Sequence, residues 1–178
     1  MSGSILLSHP SLQDPNFSKS IVFLSSHSED EGTLGVILNR PLGKKLHQLD
    51  DQFNHFSLGQ ADVYDGGPVE REKLIIAAWD WKNSADSFRL YFGIDINKAE
   101  SLRVENEKIH IACFLGHSGW SPGQLENEIK VDSWLVSTLN LNLFEKMNAK
   151  AECWKCAVSG VSDEMRLMAN APERPWRN

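Results

Sequence analysis

The sequence predicts an α+β fold built on a mixed β-sheet with a few flanking helices, and two observations support this prediction. Short runs of apolar and β-branched residues recur along the 178 residues, as expected for buried strands. The segments between them are of two kinds, short polar turns typical of hairpins and longer connections typical of crossovers. This mixture favours an α+β fold over a regular doubly wound parallel sheet.

Six segments have the composition of strands. The first pair is the clearest, because two apolar segments, residues 20–26 and 34–38, are separated by the polar turn 28–32. We therefore expect an antiparallel hairpin there. The other four predicted strands are residues 5–8, 73–79, 87–92 and 108–115, of which 87–92 has the weakest pattern.

Helical patterns are fewer. Residues 44–53 place Leu46, Leu49 and Phe53 at helical spacing, which predicts a first helix. Two more helices are predicted near the C-terminus. One covers residues 149–159 and stops at Gly160, and a short one begins at Ser162.

The segment Ser121-Pro122-Gly123-Gln124 has the clearest helix start signal in the chain. Serine is a frequent N-cap, proline is favoured at the first helical position, and Gln124 completes a capping-box pattern. Leu125 and Ile129 then fall on one face, as in a helix that packs against a core.

The chain has the size of one domain. It shows no internal repeat and no low-complexity linker, so we expect a single domain over residues 1–178. Residues 85–106 have the least pattern, which predicts a small lobe or a long flap. Residues 172–178 are expected to form an irregular tail.

Composition and charge argue against several classes of protein. The hydrophobic fraction of 41% and the charged fraction of 24% are those of an ordinary globular protein. The net charge is -6, and no basic run exceeds the pair Lys44-Lys45. Direct DNA binding and binding to an anionic membrane surface are therefore disfavoured, because both require local positive charge.

We expect the protein to reside in the cytoplasm. The apolar run at residues 5–7 is too short for a signal peptide, and no stretch approaches the length of a membrane helix. Three cysteines are an odd number, which does not imply a full set of disulfides. The simplest interpretation is a reducing compartment.

The segment Gly116-His117-Ser118-Gly119-Trp120 resembles part of a serine-hydrolase site. An apolar strand leads into it and a helix follows, as around a nucleophile elbow. That motif requires Gly-x-Ser-x-Gly, and Trp120 stands where the second glycine is needed. We interpret the segment as a glycine turn whose rim can bind a ligand. The helix start beyond it can receive an anion, and Trp120 is either an apolar wall or a core residue.

Two other turns could bind anions. In Asp65-Gly66-Gly67-Pro68 the adjacent glycines can form an anion-accepting nest or a plain turn. In Asn39-Arg40-Pro41 the arginine stands at the end of a strand. It can hold a carboxylate or phosphate in a bidentate fork, or it can form a structural salt bridge.

Cysteine and histidine spacing predicts no metal and no cofactor. Cys153 and Cys156 form a C-x-x-C inside a predicted helix, where a redox pair would stand at a helix start and a zinc site would need two more ligands. We expect these cysteines to pack as small apolar residues. His27 and His117 are the two candidates for acid–base chemistry.

The order of these blocks resembles the bacterial YqgE/AlgH family. The likeness runs from about residue 3 to residue 160, and its most specific parts are N-R-P (39–41), G-G-P-V (66–69) and G-W-S-P-G-Q-L-E (119–126). Further matching residues are His27, Gly116, Glu128, Trp134 and Trp154. The chain departs at His117-Ser118, where members usually have Tyr-Ala, which argues against Ser118 as a nucleophile.

The resemblance implies an α+β fold with a strongly curved mixed sheet. The family is described as uncharacterised proteins or proposed transcriptional regulators, with no established catalytic residues. Together with the negative net charge of this chain, the resemblance implies a binding module with an indirect regulatory role. Its partner would be a small anion or a protein. The alternative is an enzyme acting on a small anionic or acyl substrate, with His27 as the base. The oligomeric state stays open.

Both hypotheses place the ligand in one groove, formed where the three glycine- and proline-containing turns meet. The residues expected to line it are His27, Asn39, Arg40, Gly66, Gly67, Pro68, Gly119, Trp120 and Gln124.

Overall fold

Strands dominate the structure, a computed structural model that describes residues 1–82 and 87–171. In this part of the chain nine strands form one sheet. They are β1 Ser4–Ser8, β2 Ile21–Ser28, β3 Gly32–Ile37, β4 Pro41–Lys45, β5 Asp62–Asp65, β6 Val69–Trp81, β7 Phe88–Ile94, β8 His110–Trp120 and β9 Trp134–Thr138.

Five α-helices accompany the strands in the described residues. They are α1 Ile96–Glu105, α2 Gln124–Lys130, α3 Leu141–Glu145, α4 Ala151–Ser159 and α5 Asp163–Asn170. Short 3₁₀ helices fill two connections, at Leu46–Gln48, Asp51–His55 and Ser57–Gln60 after β4 and at Met147–Ala149 after α3.

The sheet is mixed, as predicted. Its strands follow the order β4-β5-β8-β3-β2-β1-β9, and β6 pairs with β8 and with β7. β5 runs parallel to β8, whereas the remaining described pairs are antiparallel. The α+β fold class is therefore confirmed.

Strand β8 lies at the centre of the sheet and bends at Gly116. Before the bend it pairs with β5 and β6. After the bend, His117 still stands opposite Val69 of β6, and Ser118 stands opposite Gly35 of β3. The N–H of Ile37 donates to Gly66 O at 2.9 Å, so the ends of β3 and β5 meet beside the bend. Gly116 has φ 71°, and a Cβ there would lie 2.6 Å from Gly67 O. Only glycine permits this backbone approach.

The sheet is buried on both faces, which explains the continuous apolar strands. In β1, Ile5 and Leu7 join a core cluster with Phe23 and Trp79, and this cluster is covered by residues of α3, α4 and α5. Leu6 points to the opposite face and joins a second cluster that α2 covers. A strand covered on both faces needs apolar residues at successive positions.

The six predicted strands are confirmed, and several elements are additional to them. The first hairpin is antiparallel, with Ser28 opposite Gly32 at its turn. The additional elements are β4, β5, β9, α1 and α3. The predicted strand at 108–115 continues to Trp120, so the glycine turn expected at residues 116–120 is wrong: this segment is the second half of β8.

The predicted helix at residues 44–53 is also wrong. The chain stays extended through Lys45 and then forms separate 3₁₀ turns, the second of which starts where the Asp50 side chain accepts from the Gln52 N–H. Leu46 is buried and Leu49 packs beside the same cluster. A spacing of three residues fits a 3₁₀ helix as well as an α-helix, so the apolar pattern misled the prediction.

Helices α4 and α5 confirm the C-terminal predictions, and Ser162 caps α5 by accepting from the Met165 N–H. Helix α2 is confirmed with a different start, because Gly123, at φ 75°, is its N-cap. Gln124 Oε1 still accepts from the Ser121 N–H at 3.0 Å, which is one half of the predicted capping box.

The stretch at 85–106 lies partly outside the described residues. From residue 87 onward β7 pairs with β6, and α1 buries Ala99 and Leu102. This part of the stretch therefore extends the sheet. The predicted tail at 172–178 lies wholly outside the described residues.

Replacing Gly116 by alanine is expected to destabilise the fold by about 3 kcal/mol or more, because a left-handed φ and a backbone clash act together. Gly43→Ala is the matched control. Gly43 has φ 68°, and a Cβ there would meet nothing within 4 Å beyond its chain neighbours, so about 1 kcal/mol from backbone strain alone is expected. Urea unfolding followed by tryptophan fluorescence measures both. Equal losses would show that the contact with Gly67 has no energetic weight.

Candidate functional site

Asn39, two residues after the end of β3, connects two loops that are distant in sequence. Its side chain is buried; Oδ1 accepts from the Ile21 N–H at 2.8 Å, and Nδ2 donates to Lys19 O at 2.9 Å and to Lys150 O at 3.0 Å. Both lysines have left-handed backbones, with φ 54° at Lys19 and φ 53° at Lys150. This conformation is costly for residues other than glycine, and the Asn39 amide stabilises it at both places.

A cavity of about 310 Å³ opens beside this amide, and its charged lining is cationic. Among the described residues that line it, none is acidic. They are Ser18, Lys19, Asn39, Arg40, Pro41, Lys150 and Ala151.

Arg40 is the half-buried cation of this cavity. Its Nη2 donates to Ser18 O at 3.3 Å. Burial lowers the pKa of Arg40, and the negative charges of Asp65 and Asp14 oppose that effect. The guanidinium stays protonated, and in a partly desolvated position its N–H groups attract an anion more strongly than at an open surface.

His27 lies at the end of β2, between a hydroxyl and a carboxylate. Its Nδ1 is 2.7 Å from Thr33 Oγ1, and its Nε2 is 3.5 Å from Glu126 Oε1. Thr33 is buried, so its hydroxyl has little access to a substrate. The chain of contacts joins the first hairpin to α2.

Gly66 and Gly67 serve the packing of the sheet. The N–H of Gly66 donates to Leu115 O at 2.8 Å, and that of Gly67 to Asp65 Oδ1 at 3.2 Å. Both donors of the expected nest are thus used within the protein. A Cβ on Gly66 would lie 2.3 Å from Gly116 O, which shows how closely the two backbones approach.

Ser118 and His117 are part of β8. Ser118 is fully buried and its Oγ donates to Gly66 O at 3.2 Å, so it is not placed as a nucleophile. His117 Nδ1 lies 3.6 Å from Glu70 Oε2. Burial lowers the pKa of His117, and Glu70 opposes that effect. The hydrogen bond from Lys73 in turn lowers the pKa of Glu70.

Trp120 is a core residue and not the wall of a groove. It lies 5.8 Å from Trp134, centroid to centroid, and Phe17 packs on both rings. The indole N–H groups of Trp120 and Trp134 both donate to Glu128 Oε2, at 2.9 and 2.7 Å. Gln124 Nε2 donates to Glu128 Oε1 at 2.9 Å.

Glu128 thus holds Trp120, Trp134 and Gln124 together on the face of the sheet that α2 covers. From the sequence, Glu128 was named only as one of the residues that match the family. Its position four residues after Gln124 in a helix was a usable signal, because such residues face the same side.

The predicted site residues form three groups, of which the first two adjoin because the Asp65 N–H donates to Arg40 O at 2.9 Å. Asn39 and Arg40 line the cationic cavity, and Gly66, Gly67 and the half-buried Pro68 lie at the bend of β8. The others lie around α2: His27 contacts Glu126, Gln124 and Trp120 bind Glu128, and Gly119 pairs with Leu34 in the sheet. The single groove expected from the sequence stays a prediction, and the cavity lined by Asn39 and Arg40 is the part of it that the structure describes.

The cysteines are free thiols. Burial raises the pKa of Cys113 to about 12 and that of Cys153 to about 11, which makes both poor nucleophiles. Cys156, one turn after Cys153 on α4, is exposed. Within residues 1–82 and 87–171, no group of three or more histidine, cysteine or acidic side chains is arranged to hold a metal ion. No helix in these ranges is both long and apolar enough to cross a bilayer.

Comparison with known proteins decides the family. The family model described as "DUF179: AlgH-like" matches residues 5–166, nearly the whole chain. The chain belongs to the AlgH-like family. The resemblance carried by the N-R-P, G-G-P-V and G-W-S-P-G-Q-L-E blocks is thereby confirmed.

Relatives cover the chain end to end. A UPF0301 protein of Chlorobium phaeobacteroides is 31% identical over 183 residues, which is 99% of this chain and 95% of the relative. A UPF0301 protein of Ruegeria pomeroyi is 33% identical over 146 residues, covering 77% of this chain and 79% of the relative. These names carry no activity.

Two solved structures share the fold. A protein of Corynebacterium diphtheriae aligns with TM-score 0.71 at 20% identity, over 95% of this chain and 91% of that one. The solution structure of the AlgH protein from Pseudomonas aeruginosa aligns with TM-score 0.64 at 24% identity, over 96% and 94%. At these identities the likeness shows the fold alone.

Glu128→Ala is expected to lower the free energy of unfolding by about 2–5 kcal/mol, because two buried indole N–H groups lose their acceptor. Chemical denaturation measures the change. Glu126→Ala is the matched control on the same helix, and a change within about 0.5 kcal/mol is expected since its contact with His27 is partly exposed. Similar losses in the two variants would contradict the role of Glu128.

Proposed function

We propose that this AlgH-like protein is a binding module that takes a small anion in the cationic cavity beside Arg40. The observation that carries the proposal is the convergence of Lys19, Arg40 and Lys150 on one cavity, in a chain whose net charge is -6. Positive charge gathered on an acidic protein attracts anions selectively to that place. A volume of about 310 Å³ is at the small end of the range for ligand sites and leaves room for a small anion.

The backbone around the cavity supports the same proposal. Lys150 combines φ 53° with ψ −124°, and Lys19 is left-handed as well. Strained residues of this kind persist only when their surroundings hold them, and they concentrate at ligand sites. Asn39 is then a positioning residue, because its amide holds both lysine backbones and its hydrogen-bonding atoms are occupied.

A regulatory role, if exerted by this module, is inferred to be indirect. The net charge of -6 opposes the phosphate backbone of DNA, whereas a bound metabolite anion could alter the affinity for a protein partner. A gel-shift assay is expected to show no salt-dependent DNA complex. We also infer a cytoplasmic location, which the three free thiols support.

An enzyme with His27 as the base is the second candidate, supported by the contacts of His27 with Thr33 and Glu126. It ranks lower because Thr33 is buried. Hydrolysis of p-nitrophenyl acetate above the buffer rate, lost in His27→Gln, would favour it. We expect no such activity.

Inorganic phosphate is expected to stabilise the wild-type protein. At about ten times the dissociation constant the gain is about 1.4 kcal/mol, or about 3–6 °C in melting temperature. Arg40→Gln is expected to remove most of this shift. Lys44→Gln is the matched control, because Lys44 is an exposed lysine of β4 outside the cavity lining and the charge change is the same.

Lys150→Gly separates binding from folding. Glycine accepts a left-handed backbone, so this variant is expected to melt at or above the wild-type temperature while its phosphate shift falls. Thermal melts with and without phosphate check both effects, and calorimetric titration with phosphate and with acetate measures the affinities. A wild-type protein that neither anion stabilises, or equal shifts in the Arg40→Gln and Lys44→Gln variants, would overturn the proposal.

A further inference from the structure

Strand β9 is an edge of the sheet that lacks the usual protection. It pairs with β1 on one side and ends the strand order on the other. Its sequence, Trp-Leu-Val-Ser-Thr, contains no charge and no proline. The edge strand β4 carries Pro41, Lys44 and Lys45, and β7 carries Arg89. Charges and prolines on edge strands prevent pairing with other chains, so β9 is the edge left open to a further strand.

The register of β9 shows which backbone groups are available. The N–H of His9 donates to Ser133 O at 2.9 Å, whereas the N–H of Ser8 donates to Ser20 O on the opposite side of β1. In an antiparallel pair these directions alternate along the strand. Leu135 and Ser137 therefore bond to β1, and the N–H and C=O groups of Trp134, Val136 and Thr138 point away from the sheet.

A second copy of the same strand fits these groups. If a two-fold axis passes beside Val136, Val136 stands opposite itself and Trp134 stands opposite Thr138 of the other copy. All of these residues present outward backbone groups, so each pair is a hydrogen-bonded pair of an antiparallel ladder. Such a contact is isologous and closes on itself, which limits it to two copies.

The side chains beside the edge agree with this occupant. Val136 is 47% exposed and stands opposite Leu6 of β1, so its side chain lies on the face of the sheet that α2 covers, at the open edge. In the two-fold register the two Val136 side chains stand opposite each other on that face.

We propose that β9 is a self-association edge through which two copies of this chain form a dimer with one continuous sheet. The partner is a second copy because the open backbone groups and the exposed, uncharged Val136 meet their own equivalents about one axis. Neutral β9 side chains also keep like charges away from the contact, although each chain carries a net charge of -6.

Light scattering coupled to size exclusion is the test. Each chain has a mass of 20.0 kDa, so a concentration-dependent rise towards twice that value is expected for the wild type. Val136→Lys places two positive charges against each other at the axis and is expected to weaken the dimer by about 100-fold or more. Val104→Lys is the matched control, because Val104 is 84% exposed on α1, and it is expected to dimerise as the wild type does.

Circular dichroism confirms that each variant is folded. A wild-type protein that stays at 20.0 kDa at all concentrations overturns the proposal. A dimer that survives Val136→Lys overturns it as well, since another surface would then hold the copies together.

Discussion

The close approach of backbone to backbone at the bend of β8 is the constraint on which the rest of the structure depends. Gly116 has φ 71°, and any Cβ there would meet Gly67 O, while a Cβ on Gly66 would meet Gly116 O. Because these side chains are absent, β8 can leave β5 and join β3 without interrupting the sheet. The result is one sheet with two buried faces, each requiring its own apolar cluster.

The cationic cavity follows from this arrangement. The end of β3 is fixed by the hydrogen bond between Ile37 and Gly66, and Asn39 comes two residues later. Its amide can therefore reach the loops that carry Lys19 and Lys150 and hold both in left-handed conformations. On the opposite face Glu128 has the corresponding role, since one carboxylate oxygen binds two indoles and fixes α2 over the sheet.

Sequence reasoning found the elements whose local signals agree with their packing. The long apolar strands and the capped helix α5 are examples, because burial on both faces and a serine cap leave clear patterns. It missed β5 and β9, which have four and five residues and too little length for a period to show. It misread Gly116 to Trp120 because glycine serves turns and close approaches alike, and only the tertiary structure distinguishes them.

The candidate site was predicted in part for a similar reason. Arginine at a strand end is visible in the sequence, and Arg40 does line a cavity. Lys19 and Lys150 were not visible, because nothing local marks a lysine that a distant amide will hold in a left-handed conformation. The roles of the glycine-containing segments were not visible either, since residues 66–67 and 116–120 pack inside the sheet.

The hydrogen bonds of Asn39 also determine when the cavity can exist during synthesis. Two of its partners, Ile21 and Lys19, lie 18 and 20 residues away along the chain, and the third, Lys150, lies 111 residues away. A nascent chain that has emerged only through β8 can pair the central strands of the sheet, but it has neither Lys150 nor β9. Contacts of such long sequence separation form late in folding. Occupancy of the cavity would thus distinguish finished molecules from partly synthesised ones, and the anion would bind only a chain whose C-terminal helices are in place.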